Sequence, residues 1–103
     1  MCESYAYAVS NGLTDEQFFN VFRSNTGWNF LAEYKEPKLR NRDYAAQFSV
    51  SNMLKDVRLA LATDRTDKGM RLLKNVETIY AEAVTAGLGD EDMIALFKLI
   101  QQQ

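Results

Sequence analysis

The sequence contains no histidine, which removes both the commonest acid–base side chain and the commonest protein ligand for transition metals. It contains one cysteine, Cys2, so an intrachain disulfide is excluded and a reducing, cytoplasmic setting is expected. Cys2 and the serines have no histidine to activate them as nucleophiles. We therefore expect no catalytic residue in this chain.

The few glycines exclude the common phosphate-binding loops. A dinucleotide-binding loop needs G-x-G-x-x-G between a strand and a helix, and only Gly87 and Gly89 have the first half of that spacing, between two predicted helices. No glycine is followed by the Lys-Ser or Lys-Thr pair of a P-loop. The acidic stretch GDED, residues 89–92, resembles the start of a capped helix, because successive side chains on a helix point apart. No metal site is expected.

The chain also lacks an excess of charge and a long apolar run. Its formal charge is −2, and its 12 basic residues are scattered, so nucleic acid is not an expected partner. No apolar run approaches the roughly 20 residues that span a membrane, and no signal segment opens the chain. We expect neither nucleic acid nor a membrane as a partner.

Amphipathic helix is present throughout. With 103 residues and 47% hydrophobic composition, the chain is expected to form one domain, residues 1–103, that buries roughly two thirds of its surface. No segment shows the alternation of a strand. The predicted class is all-α, a bundle of about five to six helices.

Helix signals divide the N-terminal half. Gly12 is predicted to end a first helix, and Thr14 with Gln17 forms a capping box at the start of a second. The buried stripe predicted for the second helix consists of Phe18, Val21 and Phe22. A short third helix that contains Trp28, Leu31 and Tyr34 is predicted to end before Pro37. A loop is predicted over residues 38–46.

Helix and linker signals also divide the C-terminal half. A long helix is predicted from about Gln47 to Thr63, then a polar linker over 63–69 and a helix from about Met70 to Ala86. For the helix that begins at about Met70, the predicted inward positions are Met70, Leu73, Val76, Tyr80, Ala83 and Val84. Asp90 is predicted to cap a final helix whose inward residues are Met93, Phe97 and Ile100.

The segment FSVSNMLKDVRLAL, residues 48–61, has two apolar faces when wrapped as a helix. One face has the spacing of a core stripe and consists of Val50, Met53, Leu54, Val57 and Leu61. The opposite face should be polar but consists of Phe48, Asn52, Lys55 and Leu59. Lys55 could extend along Phe48 and Leu59 on a neighbouring helix. A cation in an apolar frame also suits an anionic ligand, so two interpretations stay open.

Four segments in order resemble the β-hydroxyacid dehydrogenases, the family that includes 3-hydroxyisobutyrate dehydrogenase and tartronate semialdehyde reductase. In residues 48–61, Phe48, the Lys55-Asp56 pair and the closing Leu-Ala-Leu match the family signature. Three further stretches resemble family segments, and together the matches span nearly the whole chain: SYAYAVSNGLTDEQFFNVF, EYKEPKLRNRDYAAQF and YAEAVTAGLGDEDMIALFKLI.

The resemblance implies the C-terminal helical domain of a two-domain enzyme, with the fold of 6-phosphogluconate dehydrogenase-like enzymes. Its partners would be an N-terminal Rossmann domain holding NAD or NADP and a short β-hydroxyacid substrate. The resemblance implies cofactor contacts for Phe48, Lys55 and Asp56, and substrate contacts for Lys55 and Asn52. Asp56 would fix Lys55 or a neighbouring backbone group.

The chain departs from the family pattern because the general-base lysine of a K-x-x-x-N motif, expected before Gly12, is absent. No lysine precedes Lys35. The isolated chain is therefore expected to bind no dinucleotide and to be catalytically inert. The alternative is a free-standing helical interaction or dimerisation module without enzyme activity. The lack of a Rossmann half before Met1 favours this alternative.

Self-association is expected in either case. The segment 18–34 carries more aromatic area than a small bundle easily buries, including Trp28 and Tyr34. A homodimer through this segment or through the 70–86 helix is predicted.

Overall fold

The computed structural model of the chain describes residues 1–101 and is all-helical, which confirms the predicted class. Its α-helices are α1 (Cys2–Ser10), α2 (Asp15–Arg23), α3 (Phe30–Arg40), α4 (Val50–Ala62), α5 (Arg71–Thr85) and α6 (Leu96–Gln101). A 3-10 turn, Met93–Ala95, leads directly into α6. Within residues 1–101, no helix is both long and apolar enough to cross a membrane.

The helices form two compact units. The first unit comprises Met1–Tyr44 and the chain from Phe97 onward, and thus contains α1, α2, α3 and most of α6. The second unit comprises Ala45–Leu96 and contains α4, α5 and the 3-10 turn.

The core of the first unit is a cluster of aromatic rings. Tyr5, Phe19 and Phe97 are fully buried, and Phe18 is almost so. The Tyr5 ring stacks on Phe97 with centroids 4.9 Å apart. It also lies 5.2 Å from the rings of Phe18 and Phe19. Each such pair adds about 0.5–1.5 kcal/mol beyond the burial of apolar area, so this cluster dominates the packing of the unit.

Arg42 packs on this aromatic cluster. Its guanidinium lies 4.8 Å from the Phe97 ring centroid and 5.5 Å from that of Tyr5. It donates to the Tyr5 hydroxyl across 2.9 Å and to the Leu39 carbonyl. The Tyr5 hydroxyl in turn donates to Asp15 across 2.5 Å. Burial, and then the hydrogen bond to Asp15, raises the pKa of Tyr5. Arg42 has φ 53°, a left-handed conformation that these contacts maintain.

The start of α2 confirms the predicted capping box. The Gln17 backbone N–H donates to Thr14 Oγ1 across 3.1 Å, and the Thr14 N–H donates to Gln17 Oε1 across 2.9 Å. The predicted stripe is wrong at Val21, which is exposed. Phe19 is buried instead because it packs on Tyr5, and a residue two positions on points about 200° away.

Pro37 lies inside α3, so the prediction that Pro37 ends this helix is wrong. The Asn41 N–H donates to the Pro37 carbonyl across 3.0 Å, and helix continues to Arg40 in place of the predicted loop. Pro37 is exposed, so water can reach the Glu33 carbonyl that its missing N–H would have served.

The two faces of α3 are inverted relative to the usual pattern, since charged side chains are buried and apolar ones are exposed. Asn29 caps the helix by accepting from the Ala32 N–H across 2.9 Å, so Trp28 precedes it. The buried side chains are Ala32, Lys35, Glu36, Lys38 and Leu39. The exposed apolar side chains are Phe30, Leu31 and Tyr34. Leu31 and Tyr34 therefore face outward.

Two of the buried charges of α3, Glu36 and Lys38, are ion-paired. Glu36 accepts from Arg23 and from Arg40, the latter across 3.3 Å. The Lys38 ammonium lies 3.4 Å from the Asp43 carboxylate. Pairing offsets the cost of removing these groups from water, and allows α3 to present its charged side to the unit.

In the second unit, α4 packs along α5. Asp64 organises the predicted linker between them by accepting from the backbone N–H and hydroxyl of Thr66, across 2.8 and 2.7 Å. These two hydrogen bonds lower the pKa of the Asp64 carboxyl. On α5, Tyr80 and Ala83 are buried as predicted, whereas Val84 is exposed because its neighbour Ala83 already faces the core.

The last helix begins differently from the prediction. Asp90 is exposed and caps nothing, while Asp92 is fully buried and accepts from the Ile94 N–H across 3.2 Å. The predicted inward residues are confirmed for Phe97, which is fully buried.

Candidate functional site

The segment that carries the candidate residues is anchored by the buried Asp92 carboxylate in the second unit. Asp92 Oδ1 accepts from the backbone N–H of Gln47 across 2.9 Å and from that of Phe48 across 3.3 Å. Asp92 Oδ2 accepts from the backbone N–H of Ile94, inside the 3-10 turn that Asp92 caps. One side chain therefore connects the approach to α4 with the approach to α6, through charge-assisted hydrogen bonds.

Backbone hydrogen bonds extend this connection on both sides of Asp92. The Met93 N–H donates to the Phe48 carbonyl across 2.8 Å, and the Val50 N–H donates to the Glu91 carbonyl across 2.8 Å. Ser49 and Asp92 form an isolated antiparallel bridge. We call this arrangement the Asp92 clamp, consisting of residues 47–51 and 89–93. It holds Phe48 in the bend that precedes α4.

Gly89 completes the clamp because its backbone approaches Ser51 closely. The Ser51 N–H donates to the Gly89 carbonyl across 3.0 Å. A Cβ at Gly89 would lie 2.7 Å from Ser51 Oγ, a separation that real Cβ atoms do not show. Residue 89 therefore has no room for a side chain while Ser51 keeps its position.

The clamp fixes where α4 begins. Ser49 is the N-cap, and its Oγ accepts from the Asn52 N–H across 3.1 Å. The predicted start at about Gln47 is therefore wrong, and Phe48 lies outside the helix. The physical reason is that the N–H groups of Gln47 and Phe48 donate to Asp92, which holds these two residues in a bend outside the helix.

The core face of α4 is as predicted. Val50, Leu54 and Val57 are buried, and Met53 and Leu61 are half-buried. This stripe holds α4 in the second unit. The burial of three aliphatic side chains is worth about 1.5–3 kcal/mol each, so the orientation of the helix is well determined.

The opposite face of α4 presents the candidate residues to solvent. Asn52, Lys55, Asp56 and Leu59 are all exposed. Within residues 1–101, the side chains of Lys55 and Asp56 have no hydrogen bond and no ion pair. Both interpretations of this face keep the Lys55 ammonium in water, so its exposure agrees with each of them.

The structure brings three of the four candidates together. Asn52 and Lys55 are three residues apart on α4, which places their Cβ atoms about 5–6 Å apart. Asp56 follows at the next turn from Asn52. Phe48 is half-buried and is held before the helix by the clamp, so helical spacing does not align it with Lys55. The arrangement offers an ammonium and an amide that can bind an anionic or hydroxyl-bearing ligand.

Sequence reasoning missed the residues that build this site. Asp92 and Gly89 lie in the GDED stretch, where the sequence pattern gave a capping role to Asp90. The available signal was that this stretch contains two aspartates, two positions apart, and either of them could cap the final helix. Asp92 is the one whose carboxylate reaches a segment 45 residues earlier, which no local rule reveals. No cluster of three or more potential metal ligands occurs among residues 1–101.

Comparison with known proteins gives consistent results. A family model described as "NAD-binding of NADP-dependent 3-hydroxyisobutyrate dehydrogenase" matches residues 1–100. The curated L-threonate dehydrogenase of Cupriavidus necator is 26% identical over 98 residues, which is 94% of this chain and 33% of that protein. The chain thus spans about a third of the length of that relative.

A solved structure supports the fold. The crystal structure of 3-hydroxyisobutyrate dehydrogenase from Salmonella typhimurium superposes with a TM-score of 0.86 and 23% identity. The match covers 95% of this chain and 35% of that one. At this identity the likeness shows that the two proteins share the helical fold over this region.

Proposed function

The chain belongs to the family described as NAD-binding of NADP-dependent 3-hydroxyisobutyrate dehydrogenase, and from this we propose that it is the helical, substrate- and cofactor-facing domain of an NAD(P)-dependent β-hydroxyacid dehydrogenase. Residues 1–103 act as one domain in this proposal. The reaction of the whole enzyme is reversible hydride transfer between the carbinol carbon of a short β-hydroxyacid and the nicotinamide of NAD or NADP. The enzyme is a cytoplasmic homodimer.

The observation that carries the proposal is the state of Lys55. Its ammonium is exposed on α4 and has no hydrogen-bond or ion-pair partner among residues 1–101. Asn52 lies one turn away on the same exposed side. A free cation next to an amide suits a carboxylate-bearing substrate, because the ammonium supplies charge and the amide supplies directed hydrogen bonds.

The cofactor contact involves Phe48 and Asp56. The Asp92 clamp fixes the backbone of Phe48 directly before α4, so its ring is positioned by the second unit and not by the ligand. We assign Phe48 to packing beside the nicotinamide and Lys55 to the substrate or the nicotinamide end of the cofactor. Asp56 orients Lys55 or a neighbouring backbone group once the ligand is bound.

The chain supplies only part of the required chemistry. It has no glycine-rich phosphate loop and no general-base lysine before Gly12. In this proposal the loop comes from an N-terminal Rossmann domain and the lysine from an earlier part of the helix that ends before Gly12, which agrees with the relatives being about three times as long. The fixed Phe48 and the solvated Lys55 fit one wall of a site whose other wall is that domain.

Calorimetry with NADH and NADPH tests this division of roles. The purified 103-residue chain is expected to bind neither dinucleotide, because each candidate residue lies on an open surface that cannot enclose a ligand. Micromolar binding of either dinucleotide to this chain would contradict the proposal.

The coding sequence upstream of Met1 provides an independent test. An in-frame region with G-x-G-x-x-G supports the dehydrogenase. A stop codon with a promoter directly upstream supports the alternative, a free-standing helical interaction module that has lost the enzyme.

A further inference from the structure

The exposed face of α4 carries a second cation besides Lys55. Arg58 is exposed, and within residues 1–101 its side chain has no hydrogen bond and no ion pair, as is also true of Lys55. The two residues are three positions apart, so their Cβ atoms lie about 5–6 Å apart on the same side of the helix. A ligand that reaches the Lys55 ammonium therefore passes within reach of the Arg58 guanidinium.

No carboxylate on α4 is placed to neutralise this pair of cations. Asp56 is the only acidic residue of the helix, and residues one or two positions from Lys55 and Arg58 do not face them. The other residues three or four positions from either cation are all uncharged: Ser51, Asn52, Leu54, Leu59, Leu61 and Ala62. Like charges at this spacing repel each other and weaken a helix, although the chain as a whole has a formal charge of −2. A bound anion would remove this repulsion.

Ser51 continues the line of polar groups towards the Asp92 clamp. Its backbone N–H donates to the Gly89 carbonyl across 3.0 Å, so the clamp fixes its position. Its hydroxyl has no hydrogen bond among residues 1–101. With a rise of about 1.5 Å per residue, Lys55 follows Ser51 by about 6 Å along the helix axis and Arg58 follows Lys55 by about 4.5 Å. The face thus presents a hydroxyl, an ammonium and a guanidinium in order.

The two cations differ in the chemistry they bind best. The Lys55 ammonium is a compact point charge, whereas the planar fork of Arg58 matches a carboxylate or a phosphate through two parallel hydrogen bonds. The proposed function uses Lys55 and Asn52 for the carboxylate of a β-hydroxyacid. Arg58 then remains available for another anionic group about 5 Å farther along the ligand. A substrate with one negative charge leaves Arg58 without a partner.

We propose that Arg58 selects substrates that carry a second anionic group, a carboxylate or a phosphate, on the other side of the carbinol carbon from the carboxylate that Lys55 binds. The substrate class is then a dianionic β-hydroxyacid. The inference rests on the proposed function, because it uses the same face of α4 and the same Lys55 contact. Arg58 binds a part of the substrate that does not react, so its effect is expected in KM and not in kcat.

A matched set of substrates tests the second charge. Racemic 3-hydroxybutyrate and racemic malate have the same four-carbon chain with a hydroxyl β to a carboxylate, and malate has a carboxylate where 3-hydroxybutyrate has a methyl group. A 3-hydroxybutyrate with a phosphate ester at C4 is the phosphate arm. The gene product that includes any reading frame upstream of Met1 is expected to have a kcat/KM about tenfold or more higher for one of the dianions than for 3-hydroxybutyrate. The preferred dianion identifies the second group.

Substitutions at Arg58 test whether this residue provides the preference. Arg58→Gln is expected to raise KM for the preferred dianion by about 10- to 100-fold and to leave kcat/KM for 3-hydroxybutyrate within about twofold, because only the dianion loses a charged donor. Arg58→Lys keeps the charge without the fork and should restore part of the affinity. Arg65→Gln, at an exposed arginine in the 63–69 linker, is the control and should change neither substrate by more than about twofold. Circular dichroism verifies the folding of each variant.

The outcomes separate this inference from the proposed function. Equal kcat/KM for the three acids overturns the role of Arg58 and leaves the dehydrogenase assignment in place. A preference for a dianion that survives Arg58→Gln does the same, because the second anion then binds elsewhere. An equal loss for the dianion and 3-hydroxybutyrate in Arg58→Gln also overturns the inference. If none of the three acids, nor any other short β-hydroxyacid, is oxidised with NAD or NADP, both the inference and the proposed function are overturned.

Discussion

The backbone N–H of Phe48 donates to the Asp92 carboxylate across 3.3 Å, although the two residues are 44 positions apart in the sequence. This contact fixes the residue that directly precedes the cap of α4, and Ser49 then caps the helix. The exposed face that bears Lys55 starts from a point fixed by Asp92. The candidate site is therefore built from the second unit's own hydrogen bonds.

Replacing Asp92 is expected to destabilise the second unit. In Asp92→Asn the charge is lost, and the amide NH₂ cannot accept from Ile94 while the carbonyl still serves Gln47 and Phe48. Because Asp92 is fully buried, the free energy of unfolding should fall by about 2–3 kcal/mol, measured by urea denaturation. Asp90→Asn is the control in the same turn and should change it by less than about 0.5 kcal/mol. Equal effects of the two substitutions would contradict the assignment of the clamp to Asp92.

A side chain at Gly89 is expected to collide with Ser51. Gly89→Ala should cost less than about 1 kcal/mol, because its Cβ would lie 2.7 Å from Ser51 Oγ but the exposed Ser51 hydroxyl can rotate away. Removing that oxygen with Ser51→Ala should reduce the cost in the double variant. Gly87→Ala should cost about 1 kcal/mol from backbone strain alone, since Gly87 has φ +85° and no atom near the added Cβ. Ser51→Ala should not relieve it. If the changes in unfolding free energy of Gly89→Ala and Ser51→Ala simply add in the double variant, the predicted collision is contradicted.

Stability is expected to fall at alkaline pH through Tyr5. Its pKa is raised in the folded state, chiefly by burial and then by the hydrogen bond to Asp15. The folded state therefore keeps the phenolic proton after the unfolded state has lost it, and the free energy of unfolding falls as pH rises above about 10. Below that pH the contribution is complete.

Tyr5→Phe should flatten this pH dependence, measured by thermal unfolding between pH 8 and pH 11 or so. Tyr7→Phe is the control on the same helix, where the side chain is exposed, and should leave the dependence unchanged. A dependence that survives Tyr5→Phe would assign it to another group.

Local signals in the sequence predicted the parts of the fold that local chemistry determines. The Thr14–Gln17 capping box and the Val50–Leu54–Val57 stripe were correct because each depends on residues within one or two turns. The family resemblance was confirmed by the match over residues 1–100. The roles of Phe48, Asn52, Lys55 and Asp56 stay predictions.

The errors share a cause, which is that distant contacts overrode a local rule. Pro37 was interpreted as the end of α3, yet its exposed position allows the helix to continue. The outward direction of Leu31 and Tyr34 was not predicted, because the burial of Glu36 depends on its partner Arg23, 13 residues earlier. Asp90 was preferred over Asp92 as the cap because the backbone groups that Asp92 satisfies are far away in the sequence.

The most direct test of the proposed role is the kinetic effect of Lys55→Met in the gene product that includes any reading frame upstream of Met1. The kcat/KM for oxidation of short β-hydroxyacids with NAD and NADP should fall by about a hundredfold, because the substitution removes the Lys55 ammonium that donates to the ligand. Lys68→Met, an exposed lysine in the 63–69 linker, should stay within twofold or so. Equal kinetics for the Lys55 and Lys68 variants, or no dehydrogenase activity in the original protein, would contradict the account.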